Sequence, residues 1–193
     1  MTTGEAILTT PRLTLRSWRE TDRDAFAALN ADPEVMSDLG GPFLRADSDA
    51  KFDRYTTTFR RHGFSRLAIE ERQGAFVGYA GIMPAAPDHP LGPHVEIGWR
   101  LTRAVWGKGY ATEAAGAILR DAFEYLGLPE IVAYTAADNV RSQAVMERLG
   151  MQRDPLRDFS MPGRSGTWCG RVWVLRRPVR SFTISTGIET DSF

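Results

Sequence analysis

The chain has 193 residues, of which 42% are hydrophobic, and its 24 basic and 24 acidic side chains give a formal net charge of zero. This length is typical of one domain, and this apolar content excludes a disordered chain. Because there is no excess of positive charge, the composition favours neither nucleic acid nor a bilayer surface as a partner.

Signals for secretion, membrane insertion and metal binding are not evident in the sequence. Residues 1–5 lack a basic region followed by an apolar one, and no apolar run approaches the ~18 residues of a membrane span. Cys169 is the only cysteine, which excludes an internal disulfide and favours a cytoplasmic location. Its strand-like surroundings predict a buried structural thiol. No histidine stands at a zinc-ligand spacing from Cys169, so no metal site is predicted.

The first half of the chain predicts a strand, two helices and a β-hairpin. Leu13 and Leu15 alternate with polar residues, which indicates a strand, and Thr21-Asp22 offers a helix cap. Aromatic residues three or four positions apart indicate the second helix; such a stripe usually belongs to a core, although some rings could face a substrate. The hairpin turns at Gln73-Gly74. The predicted ranges are 13–16, 22–32, 47–61, 64–71 and 76–83.

The second half predicts two strand–helix units and a closing strand. The predicted ranges are 95–101 for a strand, 110–126 for a helix ended by Gly127, 131–135 for a strand, 139–149 for a helix capped by Asp138-Asn139, 154–166 for a loop and 168–175 for a strand. Together these elements indicate an α/β (α+β) domain over residues 1–177, followed by a loose tail over residues 178–193. We expect a mixed, mostly antiparallel sheet of about seven strands with helices on both faces.

The segment from Trp106 to Ala114 lies where a predicted strand passes into a predicted helix. It contains Gly107 and Gly109, which permit unusual backbone conformations and leave the neighbouring N–H groups uncovered. The helix start adds free N–H donors and the positive end of a dipole. This arrangement suits a phosphate or pyrophosphate, although a plain tight turn uses the same glycines. The order of residues fits neither a P-loop nor a dinucleotide fingerprint.

Residues on both sides of this turn carry a family resemblance. With Glu96–Trp99 before the turn, and Asn139–Ser142 and Glu147–Met151 after it, the chain closely resembles the GNAT superfamily of acyl-CoA-dependent N-acyltransferases. It is most similar to the RimJ and RimL branch, of which Arg12–Arg16 and Ala31–Met36 are also typical. The resemblance covers about residues 10–177. Ala104 departs from it, because many members have Gln or Arg there, and one side-chain contact with the cofactor is therefore absent.

The resemblance implies a single-domain GNAT fold and an acetyltransferase that takes acetyl-CoA as co-substrate without a metal. The acceptor would be an amine, with a protein N-terminus favoured and small amines, polyamines or antibiotics open. A non-catalytic acyl-CoA-binding module, a larger acyl donor and a homodimer also stay open. The expected cofactor-binding residues are Leu101, Arg103, Val105, Gly107, Lys108, Gly109, Tyr110, Ala111, Thr112, Asn139, Arg141 and Ser142. Lys108 and Arg141 are equally well interpreted as solvated surface charges.

Two residues are candidates for proton transfer. Glu96 lies on the strand that should line the cleft, so it is a candidate general base; the alternative is a carboxylate that orients the acceptor or pairs with an arginine. The resemblance suggests Ser142 as the acid that protonates the departing thiolate, and a hydrogen-bonding role at the helix start is the alternative. His94, on the same strand face as Glu96, could relay a proton, but an exposed histidine at a loop end is the better interpretation.

Overall fold

The structure is a computed structural model that describes residues 4–164 and 166–177. These ranges contain nine strands and four α-helices, which alternate in the second half of the chain. The tail predicted over residues 178–193 lies outside the described residues. The bounds are β1 Ala6–Thr9, β2 Leu13–Arg16, α1 Arg23–Ala31, α2 Arg45–His62, β3 Arg66–Glu71, β4 Phe76–Pro84, β5 Val95–Leu101, α3 Tyr110–Glu124, β6 Glu130–Thr135, α4 Val140–Arg148, β7 Gln152–Arg153, β8 Phe159–Gly163 and β9 Gly166–Arg176.

The sheet is mixed and mostly antiparallel, as predicted. Its strand order is β1-β2-β3-β4-β5-β6-β9-β7, and β8 pairs with β9 beyond this path. About seven strands were expected and ranges were predicted for six; the described residues form nine, because β1, β7 and β8 were not recognised from the sequence. In particular, the predicted loop over residues 154–166 contains β8, whose Phe159 lies opposite Gly170 of β9. Its charge and glycine content concealed the pairing, which depends on a partner strand further along the chain.

The parallel strands β5 and β6 pair only near the start of β5 and leave a gap in the sheet beyond that point. The helix α3 connects these two strands, and their pairing consists of Glu96 opposite Val132, without continuing toward the carboxyl ends of the strands. The strands β4 and β5, by contrast, pair along their length from Pro84 opposite Val95 to Gly78 opposite Leu101. The carboxyl end of β5 is therefore left without a neighbour on one side, and ligands of α/β sheets commonly bind at such strand ends.

Helices cover both faces of the sheet, and each face has its own hydrophobic cluster. One cluster contains the apolar face of α3, including Ala115, Ile118 and Leu119. The other contains Phe26 of α1 and Phe52 of α2. The predicted aromatic stripe of α2 thus contributes to a core, since the Phe52 ring lies 5.1 Å from the buried Trp18 ring. None of the helices within residues 4–164 and 166–177 combines the length and apolarity that a membrane crossing requires.

Two local predictions were wrong. The Asp22 side chain does not cap α1; instead it accepts hydrogen bonds from the Arg16 guanidinium at 2.7 Å and from the Arg19 N–H at 2.7 Å. Leaving a buried arginine without a carboxylate costs more free energy than leaving a helix without a side-chain cap. Cys169 is exposed rather than buried, and its Sγ atom lies 3.4 Å from Oγ of Ser160 on β8. This part of β9 pairs with β8 and leaves one side to solvent.

Candidate active site

The turn between β5 and α3 has the backbone geometry that its glycines predict. One short 3-10 turn over Arg103–Val105 leads into it. Gly107 has φ of 78° and Gly109 has φ of 80°, both in the left-handed region that side chains with a Cβ rarely adopt. Gly109 is the residue immediately before α3. The glycine turn therefore leads from the 3-10 turn straight into α3, beyond the carboxyl end of β5.

The start of α3 presents several unused hydrogen-bond donors. Its first intrahelical bond runs from the Glu113 N–H to the Gly109 carbonyl at 3.1 Å, and no side chain caps the helix. Among the described residues, the N–H groups of residues 107 and 109–112 meet no acceptor. Together with the positive end of the helix dipole, these donors form a site that suits an anion.

A cleft of about 1240 Å³ opens beside this helix start. Its walls come from the end of β5, the glycine turn, the first turn of α3, one side of α4, the segment between α1 and α2, and the turn between β1 and β2. Ten of the twelve predicted cofactor-binding residues line it. These are Leu101, Val105, Gly107, Gly109, Tyr110, Ala111, Thr112, Asn139, Arg141 and Ser142.

The other two predicted cofactor residues direct their side chains elsewhere. Arg103 donates to Asp32 at 2.8 Å and to Glu34 at 3.1 Å, and the Lys108 ammonium lies 3.9 Å from the Glu71 carboxylate. Neither residue is part of the cleft wall. Both side chains are about half exposed, so the alternative of a solvated surface charge describes Lys108 better than a phosphate contact does.

Glu96 lies outside the cleft wall, near the start of β5. Its Oε1 atom accepts a hydrogen bond from the Arg66 guanidinium at 2.5 Å, so the predicted alternative of a pairing with arginine is present in the structure. The Glu96 side chain is 22% exposed, which leaves it accessible to a small reactant or water. Burial, together with the nearby Glu96 carboxylate, raises the pKa of the Tyr134 hydroxyl.

His94 belongs to a packed aromatic group and is not the exposed loop-end histidine that the sequence suggests. Its ring is half-buried, with centroid distances of 4.7 Å to His89 and 5.9 Å to Tyr134. Its Nδ1 atom lies 2.8 Å from the Gly92 carbonyl oxygen. Burial and the neighbouring His94 lower the pKa of His89. These contacts give both histidines a structural role.

Asn139 and Ser142 form the start of α4 and face the cleft together. The Asn139 side-chain oxygen accepts the Ser142 N–H at 3.1 Å, which confirms the predicted cap. The Arg141 guanidinium packs over the Trp106 ring at 4.2 Å. Since Trp106 also lines the cleft, this stacking holds α4 beside the glycine turn across the gap between β5 and β6.

Residues 12–152 match the protein-family model described as "Acetyltransferase (GNAT) domain", and this match decides the family. The chain belongs to the GNAT acetyltransferase family. It is an acyl-CoA-dependent acetyltransferase that acts on acetyl-CoA, and the superfamily predicted from its motifs is confirmed. Since no acceptor among the described residues meets the N–H groups at the start of α3, these donors suit an anionic group such as a phosphate.

Three similar proteins illustrate the match to this GNAT domain. The chain is 32% identical over 156 residues, 77% of its length, to the FsC-acetyl coenzyme A-N(2)-transacetylase of Aspergillus fumigatus, and spans 66% of that protein. An acetyltransferase structure from Agrobacterium tumefaciens str. C58 shares 34% identity and a TM-score of 0.75, over 88% of this chain and 93% of that one. The fold also matches RimL, a ribosomal-protein α-N-acetyltransferase solved with coenzyme A, at 15% identity and a TM-score of 0.69, over 89% and 98% of the chains.

Asp38, a partly buried residue whose carboxylate lies in the cleft wall, was not predicted from the sequence. Its carboxylate accepts two hydrogen bonds from Arg100 of β5, at 2.9 and 3.3 Å, and one from Asn139 at 2.9 Å. Its backbone carbonyl accepts the Trp168 indole N–H of β9 at 2.8 Å. One residue between α1 and α2 therefore joins the strand, the helix start and the closing hairpin around the cleft.

A second buried group lies directly behind Arg100. Tyr79 of β4 lies opposite Arg100 in the sheet, and the Lys51 ammonium lies 5.3 Å from its ring centroid. Burial alone would raise the pKa of the Tyr79 hydroxyl, but the charges of Lys51 and Arg100 outweigh burial and lower it to about 7. The part of the cleft wall that Arg100 forms is thus backed by further polar and charged groups.

We expect Asp38→Ala to destabilise the protein by about 3 kcal/mol, because it leaves the mostly buried Arg100 without its carboxylate. The Arg100 side chain is 12% exposed, so water replaces the lost partner poorly. Urea unfolding provides the measurement. The matched control is Asp24→Ala, since the Asp24 side chain is 88% exposed and pairs with Arg45 at the surface; that variant should lose less than about 1 kcal/mol. Equal losses would contradict a structural role for Asp38.

Proposed function

We propose that this GNAT acetyltransferase transfers the acetyl group directly from acetyl-CoA to an α-amino group, with a protein N-terminus as the favoured acceptor. The observation that carries the proposal is the continuous cleft, whose walls include both the anion-binding start of α3 and the polar wall formed by Asp38 and Arg100. Two reactants held in one cleft need no covalent enzyme intermediate, because proximity alone lowers the barrier.

In this proposal, the glycine turn and the end of β5 determine how acetyl-CoA lies in the cleft. The phosphates would accept hydrogen bonds from the N–H groups at the start of α3, and the pantetheine arm would follow β5 beside Leu101. The thioester would then lie near Asn139 and Ser142, which line the opposite wall. Backbone N–H groups of β5 would polarise its carbonyl as negative charge develops on the oxygen.

The choice of acceptor depends on how the amine becomes neutral, since only a neutral amine attacks. An α-amino group with a pKa of about 7.7 to 8.0 is already partly neutral at physiological pH, whereas a lysine or polyamine amine near 10.4 is almost fully protonated. Glu96 is the proposed base; since it lies outside the cleft wall near the start of β5, it would act on an acceptor that extends along β5, or through a water. Arg66 already donates a hydrogen bond to one oxygen of Glu96. Glu96 therefore suits an acceptor amine that loses its proton readily. Ser142 is the proposed acid for the departing thiolate.

A small-molecule amine is the second candidate acceptor. It is supported by the 32% identity to a relative named as an FsC-acetyl coenzyme A-N(2)-transacetylase. The RimJ and RimL assignment depends on the sequence motifs, and the RimL likeness at 15% identity supports the fold alone. A cytoplasmic location and a homodimer stay predictions of the sequence.

The test combines calorimetric titration with acetyl-CoA and thiol release against N-terminal peptides, amino acids, polyamines and aminoglycosides. We expect binding of acetyl-CoA and turnover with N-terminal peptides, and more slowly or not at all with polyamines. Turnover restricted to a small amine would show that this amine, and not a protein N-terminus, is the acceptor. Binding without turnover on every class would contradict the proposed acceptors, and no binding of acetyl-CoA would remove the cleft as the cofactor site.

A further inference from the structure

Arg12 lies in the tight turn between β1 and β2, far from the glycine turn in the sequence, yet it is part of the cleft wall. Its Nη1 atom donates to the Lys108 carbonyl oxygen at 2.8 Å. Its Nη2 atom would lie 3.5 Å from a Cβ placed on Gly109. The Arg12 guanidinium therefore binds Lys108 and lies close to Gly109, the two residues that follow Gly107 in the turn.

The contact with Lys108 fixes one particular peptide group. In a trans peptide the carbonyl and the N–H point to opposite sides, and the described residues contain no cis peptide. By holding the Lys108 carbonyl, Arg12 therefore also fixes the direction of the Gly109 N–H. That N–H is one of those without an acceptor among the described residues. Because Gly109 has no Cβ and rotates easily about φ, this peptide would otherwise flip at little cost.

Arg12 also neutralises a carboxylate that stands where an anion should bind. Glu113 lies in the first turn of α3 and lines the cleft. The Arg12 Nε and Nη2 atoms each lie 2.5 Å from Glu113 Oε2, and the Arg12 backbone N–H donates to Oε1 at 2.9 Å. Without this pairing the Glu113 charge would repel a phosphate at the helix start. The Glu113 side chain is 14% exposed, so solvent screens its charge poorly.

We propose that Arg12 is a positioning residue of the pyrophosphate site: it holds the Lys108–Gly109 peptide in the orientation that binds an anion and neutralises Glu113 beside it. The proposal rests on the proposed function, since it presumes that the glycine turn binds the phosphates of acetyl-CoA. Arginine is required because its planar fork reaches the carbonyl and the carboxylate at the same time, whereas a lysine ammonium is a single point charge.

The experiment compares Arg12→Ala and Arg12→Lys with a matched control, Arg120→Ala. Arg120 is an exposed arginine on the same helix as Glu113, outside the cleft wall and in none of the ion pairs among the described residues. We expect Arg12→Ala to raise the Kd for CoA about 20-fold, and Arg12→Lys to recover little of this loss, while Arg120→Ala leaves the Kd unchanged.

Kinetics with two acetyl donors separate positioning from a general loss of structure. With acetyl-CoA, Arg12→Ala should raise KM and leave kcat at saturation within about two-fold. With acetyl-pantetheine, which has no pyrophosphate, the wild-type chain and Arg12→Ala should have the same KM. Urea midpoints of both variants establish that they are folded; if Arg12→Ala does not fold, Arg12→Lys carries the test, because it keeps the charge beside Glu113.

Three results would overturn the proposal: an unchanged Kd for CoA in Arg12→Ala, full recovery by Arg12→Lys, or an equal loss with acetyl-pantetheine. Failure of the wild-type chain to bind CoA would instead contradict the proposed function, so the two failures are distinguishable.

Discussion

Replacing Gly109 by leucine should weaken acetyl-CoA binding at least about 100-fold. Gly109 has φ of 80°, where a leucine costs about 1 to 2 kcal/mol, so the variant would relax toward negative φ and rotate the N–H groups at the start of α3. Hydrogen bonds to charged groups contribute about 1.5 to 3 kcal/mol each, and losing even two of them gives the expected factor. Calorimetric titration with CoA measures it directly.

The matched control for this variant is Gly127→Leu. Gly127 follows the other end of α3 with φ of 66°, so leucine there has the same backbone cost. Its position is outside the cleft wall. Both variants should therefore lower the urea midpoint similarly, and only Gly109→Leu should change the affinity for CoA. Unchanged affinity in Gly109→Leu would count against the glycine turn as the phosphate site.

Replacing Glu96 by glutamine should lower kcat about 100-fold and leave the Kd for CoA unchanged. A positioned general base contributes typically about 100- to 10,000-fold, and the low end is expected for an acceptor that is already partly neutral. Glutamine keeps the size of the side chain and an oxygen for the Arg66 hydrogen bond, so the local packing should persist. Steady-state kinetics with an N-terminal peptide, measured between about pH 6 and 9, provides the test.

Glu70→Gln is the matched control for Glu96→Gln. Glu70 is also a partly buried carboxylate, 12% exposed, and it pairs with the buried Arg16 at 2.6 Å on a strand outside the cleft wall. The Glu70→Gln variant should be less stable than the wild-type chain but have the same kcat. A Glu96→Gln variant with wild-type kcat at every pH would remove Glu96 as the base and leave its pairing with Arg66 as its role.

The sequence predicts the elements of the site that are local in the chain. The start of α3 at Tyr110, the glycine turn before it and the Asn139 cap each depend on residues within about four positions of one another. Turn, cap and helix preferences act over such distances, and the structure has all three where the residues indicate them. The mixed sheet was predicted from the order of the strands and helices along the chain, which in turn depends on these local patterns.

The predictions that failed concern contacts between separate elements, which the pattern within one element does not reveal. Asp22 was expected to cap a helix, but the buried Arg16 takes its carboxylate. The strand β8 requires β9 as a partner, and Cys169 is exposed because that pairing leaves one side open. In each case the local preference was weaker than an interaction with a segment that the local pattern does not reveal.

The sequence by itself determined the GNAT superfamily and the backbone of the glycine turn, since these depend on short motifs. Only the tertiary structure decided which charges surround that turn. It directs Lys108 away toward Glu71, and it brings Arg12 to the Lys108 carbonyl across 96 positions of the chain and Asp38 to Asn139 across 101. A side chain's charge is fixed by its identity, but its partner is fixed by how the strands and helices pack.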